Sequence, residues 1–310
     1  MDAAAARVLV TGLTGFTGRH LATVLQAAGY EVHGTVRPGE ISAPKSHPVD
    51  LMDLRGVRAV VAAVRPRHVV HLAAVSFVAH GNAEEIYRTN IVGTRNLLCA
   101  LAEENALAAG LKTVLLASSA NVYGNTQADP ITEDEPPRPA NDYAVSKAAM
   151  EQMAALWSGS LPLTIARPFN YTGVGQSQQF LIPKIVAAYA RRAPSLELGN
   201  IDVERDFSDV RDVAAAYGRL LEASPRGTFN LCSERPCSLR DVLALTEELS
   251  GHSTQIRVNP AFVRASEVKR LRGCAERLRA VVPGWNPRPL RETLGWMLAQ
   301  AASAAEAAAR

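Results

Sequence analysis

Cysteine is scarce in this chain, and its few copies are scattered. The sequence has 4 cysteines in 310 residues, namely Cys99, Cys232, Cys237 and Cys274. They do not form the CxxC pairs that hold structural metals, so the sequence predicts no metal site. The first residues also lack the charged and then apolar layout of a secretory signal peptide. We therefore expect a protein of the reducing cytoplasm.

Two further absences narrow the range of partners. The 33 basic residues against 30 acidic ones leave a formal net charge of +3, too near balance to indicate a nucleic-acid-binding surface. No apolar run reaches the roughly 18 to 20 residues that span a bilayer. We therefore expect a small-molecule partner and neither nucleic acid nor membrane. With 47% hydrophobic and 20% charged residues, the composition is that of an ordinary soluble protein with a large core.

Short β-branched runs alternate with longer amphipathic stretches between Arg7 and about Ile165. This alternation is typical of successive βαβ units in a parallel sheet. The predicted strands are RVLVTG, EVHGTV, HVVHLAA, KTVLLAS and LTIARP, and the clearest predicted helices are Gly18 to Ala28 and Asn141 to Trp157. From Pro168 onward the regularity fails, which indicates a smaller second lobe.

The predicted fold class is α/β, a doubly wound parallel sheet of the Rossmann type with a smaller α/β lobe. A late strand from Gly227 to Cys232 follows a helix from Val210 to Leu221 and could return to the first sheet. The dinucleotide-binding domain is therefore predicted at residues 1–167 and 207–233. The second lobe is predicted at residues 168–206 and 234–310.

A glycine-rich turn, GLTGFTG, follows the first predicted strand and opens the first helix. Glycine has no Cβ, so the backbone can turn tightly and its amides can approach a pyrophosphate at the positive end of the helix dipole. In a βαβ context the turn predicts a dinucleotide site, and a merely structural turn is the alternative. The predicted cofactor contacts here are Gly12, Thr14, Gly15, Phe16, Thr17 and Gly18.

The residue that follows the second strand bears on the choice of cofactor. NAD-preferring sites usually place an acidic side chain there for the ribose 2′-hydroxyl, but this chain has Arg37. A guanidinium can hold a 2′-phosphate, which favours NADPH over NADH; an exposed loop arginine is the alternative. His71, without an evident partner, is interpreted as a packed histidine. Cofactor contacts at the ends of later strands are predicted for Asp50, Leu51, Leu72, Ala73 and Ala74.

Tyr143 and Lys147 form the candidate proton-transfer pair. They lie four residues apart in a predicted helix, so both side chains project from one face. Because an adjacent ammonium favours the phenolate, we expect the pKa of Tyr143 to be lowered from about 10 toward neutrality. Tyr143 could then exchange a proton with a substrate oxygen, while Lys147 holds the nicotinamide ribose. Ser119, which follows the strand KTVLLAS, would hold the same oxygen.

Together these motifs resemble the extended short-chain dehydrogenases that act on nucleotide sugars, over nearly the whole chain. The matching pieces are GLTGFTG, HLAAVSFV, TNIVGT, SSANVYG, YAVSK, RPFNYTGVGQ, GNIDVERDFSDVRDV and RASEV. The later pieces are most similar to the GDP-4-keto-6-deoxy-D-mannose reductase branch, a close cousin of GDP-mannose 4,6-dehydratase. The resemblance implies an NADP(H)-dependent oxidoreductase with a GDP-linked sugar as its substrate.

The resemblance also implies individual contacts. The implied substrate contacts are Ser76, Asn121, Asn170, Lys184, Arg205, Arg264 and Glu267. Asn170 and Arg205 would contact the nucleotide diphosphate, since a guanidinium matches phosphate oxygens. Arg264 and Glu267 would lie near the nucleotide, and Ser76 would face the sugar. Two further cofactor contacts are implied at Asn90 and Pro168.

One position departs from the dehydratases of this superfamily. They carry a carboxylate directly after the catalytic Ser or Thr as the base that eliminates water, whereas this chain has Ala120 and Asn121. Neither side chain can abstract a proton at neutral pH, so dehydration is disfavoured. The predicted reaction is instead the NADPH-dependent reduction of the 4-keto group of a nucleotide-linked 6-deoxy-4-keto sugar, a hexose or a heptose.

Two alternative functions stay open. A nucleotide-sugar 4-epimerase would use the same Ser, Tyr and Lys with a tightly bound NAD, although Arg37 counts against it. A non-catalytic NADP(H)-binding sensor belongs to another class, but such chains commonly lose the Tyr or the Lys. As in relatives, a homodimer is expected through a four-helix interface, with helices around Glu84 to Asn105 and Asn141 to Trp157.

Overall fold

A parallel sheet of seven strands forms the centre of the part of the chain that the structure describes. The structure is a computed structural model, and it describes residues 5–40, 44–76, 82–108, 110–262 and 270–308. Its strands are β1 (Arg7–Thr11), β2 (Glu31–Val36), β3 (Ser46–Pro48), β4 (His68–His71), β5 (Thr113–Ala117), β6 (Leu163–Pro168), β7 (Asn170–Thr172), β8 (Ser195–Leu198), β9 (Glu204–Asp209), β10 (Gly227–Leu231), β11 (Pro236–Ser238), β12 (Gln255–Val258) and β13 (Arg270–Leu271). Across the central sheet the order is β10, β6, β5, β4, β1, β2, β3. Strands β2 and β3 are added on one side of β1, and β4 and the later strands on the other side. In such folds ligands bind at the point between β1 and β4 where the strand order switches.

Helices cover both faces of this sheet and continue beyond it. They are α1 (Phe16–Ala27), α2 (Leu54–Val64), α3 (Ala83–Tyr87), α4 (Thr94–Ala108), α5 (Asp142–Ala155), α6 (Leu181–Ala190), α7 (Val210–Ala223), α8 (Leu239–Ser250), α9 (Glu276–Val281) and α10 (Leu290–Ala308). Within the described residues, no helix is both long and apolar enough to cross a bilayer. Neighbouring residues of β1 face opposite layers, since Val8 and Val10 belong to one buried cluster and Leu9 to another. This alternation is why a strand buried on both faces is apolar throughout.

The sequence predicted the central strands with small errors at their ends. EVHGTV and LTIARP coincide with β2 and β6, and the other three predicted strands end one to three residues early. The largest difference is at β4, because Leu72 to Ala74 leave the sheet and line a cavity. The predicted late strand is also confirmed, since β10 pairs in parallel with β6.

The long helix expected around Glu84 to Asn105 is interrupted. A π-helical turn, Arg88–Gly93, separates α3 from α4. The Thr94 hydroxyl donates to the Asn90 carbonyl at 2.7 Å within this turn. The interruption turns the Asn90 side chain inward, where it holds the backbone of Val75.

A third buried cluster lies away from the central sheet. It joins apolar side chains of α6, α8 and α10, including Ile185, Val242 and Leu294. Strands β7, β11 and β13 pair with β9, and β12 pairs with β8, around this cluster. This region supplies the segment from Asn170 to Gly175, which closes one side of the cavity.

Candidate active site

A cavity of about 1180 Å³ opens where the strands of the central sheet end. Most of the residues that the sequence singled out meet here, although they come from distant segments. The predicted residues that line the cavity are Gly12, Thr14, Gly15, Phe16, Thr17, Gly18, Arg37, Asp50, Leu51, Leu72, Ala73, Ala74, Ser76, Ser119, Asn121, Tyr143, Lys147, Pro168 and Asn170. The predicted cofactor and catalytic residues therefore share one compartment.

The glycine turn allows unusually close backbone contacts. Gly12 has a φ of +71°, and a Cβ there would lie 3.0 Å from the Ala73 amide nitrogen. A Cβ on Gly18 would lie 2.3 Å from the Gly12 carbonyl oxygen, which no real side chain tolerates. Gly15, the N-cap of α1, has no side chain to bond the first amides of the helix. Those amides are therefore available to an anion at the positive end of the dipole.

Arg37 and Glu40 lie on the cavity wall beyond β2. The Arg37 side chain is exposed and makes no ion pair with any residue that the structure describes. The Glu40 carboxylate accepts a hydrogen bond from the Thr14 hydroxyl at 2.6 Å and so fixes a side chain of the glycine turn. Sequence reasoning missed Glu40, because only the fold brings this loop residue against the turn.

The contact predicted for Asp50 falls in a turn rather than in a strand. Asp50 was expected at the end of the strand, but strand β3 already ends at Pro48, two residues before it. The Asp50 carboxylate accepts from the Met52 amide at 2.9 Å, which defines the turn. Asp50 and Leu51 still line the cavity.

Ser119, Tyr143 and Lys147 meet in the cavity, and each residue is less than a tenth exposed. Helix α5 begins at Asp142 because the Asn141 side chain accepts the Ala144 amide at 2.9 Å. The Lys147 amine donates to the Ala117 carbonyl at 2.8 Å and lies 6.0 Å from the centre of the Tyr143 ring. The Ser119 hydroxyl accepts the Asn121 side-chain amide at 3.1 Å and lies beside the Tyr143 side chain. Ser119 and Tyr143 can thus address one substrate oxygen, with the Lys147 amine beside them.

The protonation of Tyr143 differs from the expectation drawn from the sequence. Burial raises the pKa of Tyr143, and the hydrogen bond with Ser119 offsets this only in part. The expected shift toward neutrality was wrong, because desolvation of the phenolate outweighs an ammonium that is bonded to a backbone carbonyl. Burial also lowers the pKa of Lys147 to about 8, although the charge of Glu151 opposes that shift. At neutral pH Tyr143 is therefore a neutral phenol beside a largely protonated amine.

His71 is a packed histidine, as interpreted from the sequence. Its two ring nitrogens lie 2.7 Å from the Thr11 hydroxyl and 2.8 Å from the Thr94 hydroxyl. Burial, with the charge of Lys147, lowers its pKa to about 3. The imidazole is neutral and links β1, β4 and α4 below the cavity.

Three predicted site residues that the structure describes, Asn90, Lys184 and Arg205, do not line the cavity. Asn90 is buried behind the wall, where its amide bonds both backbone groups of Val75. It therefore positions the loop that carries Ser76 instead of facing a ligand. Lys184 donates to the Glu197 carbonyl, and Arg205 to the Glu204 carbonyl, each at 2.8 Å. Arg264 and Glu267 lie outside the described residues.

Two tyrosines of the cavity wall were not found by sequence reasoning. The Tyr171 hydroxyl lies 2.8 Å from the Thr17 hydroxyl, and its ring stacks on Phe16. Tyr217 on α7 is fully buried, and its hydroxyl has no hydrogen-bond partner among the described residues. Tyr171 lies within the motif RPFNYTGVGQ but was not singled out there, and no motif marks Tyr217.

Tyr217→Phe is expected to leave the free energy of unfolding of the ligand-free protein unchanged or slightly increased. The substitution removes a buried hydroxyl that bonds no described group, so no hydrogen bond is lost. Tyr123→Phe is the matched control, because its hydroxyl donates to Asn230 at 2.7 Å and accepts from Arg167 at 2.9 Å. We expect that control to lose about 1 to 3 kcal/mol in urea denaturation. Equal losses in both variants would contradict the assignment.

Comparison with known proteins identifies the family of this chain. The family model for GDP-mannose 4,6 dehydratase matches residues 9–295. GDP-6-deoxy-D-mannose reductase from Pseudomonas aeruginosa is 36% identical over 293 residues, which cover 91% of this chain and 92% of that protein. The solved structure of a candidate epimerase from Burkholderia cenocepacia J2315 has a TM-score of 0.90 and 53% identity, over 96% of this chain and 98% of its own. The solved structure of RMD from Pseudomonas aeruginosa, complexed with NADPH, has a TM-score of 0.84 and 33% identity, and the match covers 96% of this chain and 99% of that chain. The chain therefore belongs to the GDP-mannose 4,6 dehydratase family, within the extended short-chain dehydrogenases.

Proposed function

We propose that the protein is an NADPH-dependent reductase of the 4-keto group of a GDP-linked 6-deoxy-4-keto sugar, a hexose or a heptose. The observation that carries this proposal is that Ser119, Tyr143 and Lys147 share one cavity with the glycine turn and Arg37. Hydride transfer to a carbonyl needs a dinucleotide site and a proton donor held together. The likeness to a GDP-6-deoxy-D-mannose reductase and to a protein complexed with NADPH supports it.

The residues present fit a dinucleotide that carries a 2′-phosphate. Gly12 and Gly18 let the backbone of the turn pack against Ala73 and against itself, and the first turn of α1 offers its amides to a pyrophosphate. Arg37 offers an exposed planar cation to the 2′-phosphate. Tyr217, whose buried hydroxyl bonds no described group, also belongs to the cavity lining. NADPH, when bound, supplies the hydride.

The chain's own groups handle the proton. Tyr143 donates it to the sugar oxygen, and its raised pKa keeps the phenol protonated at neutral pH. Ser119, oriented by the Asn121 amide, holds the same oxygen. Lys147 is fixed by the Ala117 carbonyl and can donate its other hydrogens to ribose hydroxyls.

The proposed substrate contacts are residues of the cavity wall that are not assigned to the cofactor or to proton transfer. Ser76, Asn121 and Asn170 are the proposed contacts for the sugar and the diphosphate, because each lines the cavity. Ala120 and the neutral amide Asn121 stand where dehydratases carry a base, so the site favours reduction over loss of water. The contacts expected of Lys184, Arg205, Arg264 and Glu267 remain predictions from the resemblance.

Incubation with NADPH and enzymatically generated GDP-4-keto-6-deoxymannose tests this proposal. We expect one equivalent of NADPH to be consumed for each sugar. The loss of absorbance at the reduced-nicotinamide band measures this consumption. Unchanged absorbance would reject this substrate. A 4-epimerase, the alternative enzyme, would interconvert two sugars without added cofactor. A sensor would bind NADP(H) without either reaction.

We also propose that the protein is a homodimer. Val92 in the π-helical turn and Val145 on α5 are about two-fifths exposed, on the two helical segments that the resemblance implies at the interface. Tyr87 and Asp142 join these segments through a hydrogen bond of 2.7 Å. Light scattering is expected to give twice the mass of the chain, and the mass of a single chain would reject the dimer.

A further inference from the structure

A buried carboxylate lies one helical turn beyond Lys147. Glu151 is on the same face of α5, and its side chain is 10% exposed. It accepts from Arg167 through two bonds, 2.9 Å from Nε and 2.5 Å from Nη2. It also accepts a hydrogen bond from the Ser118 hydroxyl. Glu151 thus joins α5 to the ends of β5 and β6, directly beside Ser119 and Pro168.

Arg167 anchors this carboxylate from the other side. Its guanidinium donates to the Tyr123 hydroxyl at 2.9 Å and lies 4.9 Å from the centre of that ring. The Tyr123 hydroxyl in turn donates to Asn230 of β10 at 2.7 Å. A buried ion pair is tolerated when further hydrogen bonds compensate for its desolvation, and this chain of bonds provides them. The position of Glu151 is therefore fixed across three strands.

The surroundings of Lys147 give this carboxylate an electrostatic role. Lys147 is almost fully buried, and the other titratable groups that face it are Tyr143 on its own helix and His71 on β4. Tyr143 is a neutral phenol and His71 a neutral imidazole. Arg167 lies on the far side of the carboxylate that it binds. Among the described residues, Glu151 carries the negative charge that favours the ammonium.

We infer that Glu151 is a positioning residue for the proposed reduction: it fixes Ser118, and through it Ser119, and supplies the negative charge that faces the Lys147 ammonium. The inference rests on the proposed function for its role in turnover. Its effect on the charge of Lys147 can be measured without turnover. No step requires Glu151 to touch the substrate.

The test is the pH dependence of NADPH binding and of kcat/KM in Glu151→Gln. In the natural protein we expect both to decline above pH 8, as Lys147 loses its proton. We call this decline at high pH the basic limb. In Glu151→Gln we expect the basic limb to move to a pH lower by about one unit, because the ammonium loses a stabilising charge. Glu151→Asp keeps the charge and is expected to keep the limb in place. Glu133→Gln, a buried carboxylate bonded to the Asn230 amide at 2.7 Å and not to Ser118, is the matched control and should not move it.

Ser118→Ala tests the link to Ser119 separately. The lost hydrogen bond is worth about 1 kcal/mol, which corresponds to a decrease in kcat of about fivefold. The basic limb is expected to stay in place. An unmoved limb in Glu151→Gln, or unchanged turnover in Ser118→Ala, would overturn the inference. If no keto sugar is reduced but the limb of NADPH binding still moves, the proposed function fails and the electrostatic role of Glu151 stands. If turnover is present and the limb is unmoved, the inference alone fails.

Discussion

Tyr143→Phe is expected to lower turnover of NADPH with the keto sugar by about 10² to 10⁴-fold, the usual contribution of a general acid. The substitution removes the only atom of this side chain that can give a proton to the sugar oxygen. The aromatic ring, which is 8% exposed, keeps its packing. NADPH affinity, measured by nicotinamide fluorescence, is therefore expected to change little.

Tyr171→Phe is the matched control for this result. Its hydroxyl also lies at the cavity, but it is bonded to Thr17 of the glycine turn rather than to Ser119. We expect it to affect cofactor binding more than the chemical step. Turnover that persists in Tyr143→Phe, or an equal loss in both variants, would reject Tyr143 as the proton donor.

Arg37→Ala is expected to weaken NADPH binding by about 5 to 150-fold, as for about 1 to 3 kcal/mol when a charge-assisted bond to phosphate is lost. NADH has no 2′-phosphate, so its affinity is expected to stay the same. The structural reason is that the exposed guanidinium of Arg37 lies at the cavity wall and pairs with no described residue. Titration of both dinucleotides into one preparation measures the ratio.

Arg55→Ala gives the control for a general change in charge. Arg55 is an exposed arginine of α2 that does not line the cavity. It is expected to leave both affinities unaltered. Equal weakening of NADPH and NADH in Arg37→Ala would show that Arg37 does not read the 2′-phosphate.

Local patterns account for the parts of the fold and site that the sequence predicted. Strands β2 and β6 were predicted to the residue, because β-branched runs bounded by turn residues need no distant contact to be recognised. Gly12, Gly18 and the spacing of Tyr143 and Lys147 are likewise short-range features. Their meeting in one cavity follows from the order of the parallel strands.

The remaining features depend on contacts between remote segments. No signature in the local sequence marks the bond between Glu40 and Thr14, the pair of Glu151 with Arg167, or the Tyr217 hydroxyl, which bonds no described group. The expected pKa of Tyr143 failed for a related reason. Spacing shows that an ammonium is near, but the desolvation that dominates is a property of the folded interior.

Transfer of deuterium from NADPH labelled at C4 of the nicotinamide tests the central claim most directly. The expected result is deuterium bound to C4 of the sugar product, located by NMR, with one NADPH oxidised for each sugar. Product that forms without label at C4, or a sugar interconverted while the labelled NADPH remains intact, would contradict it.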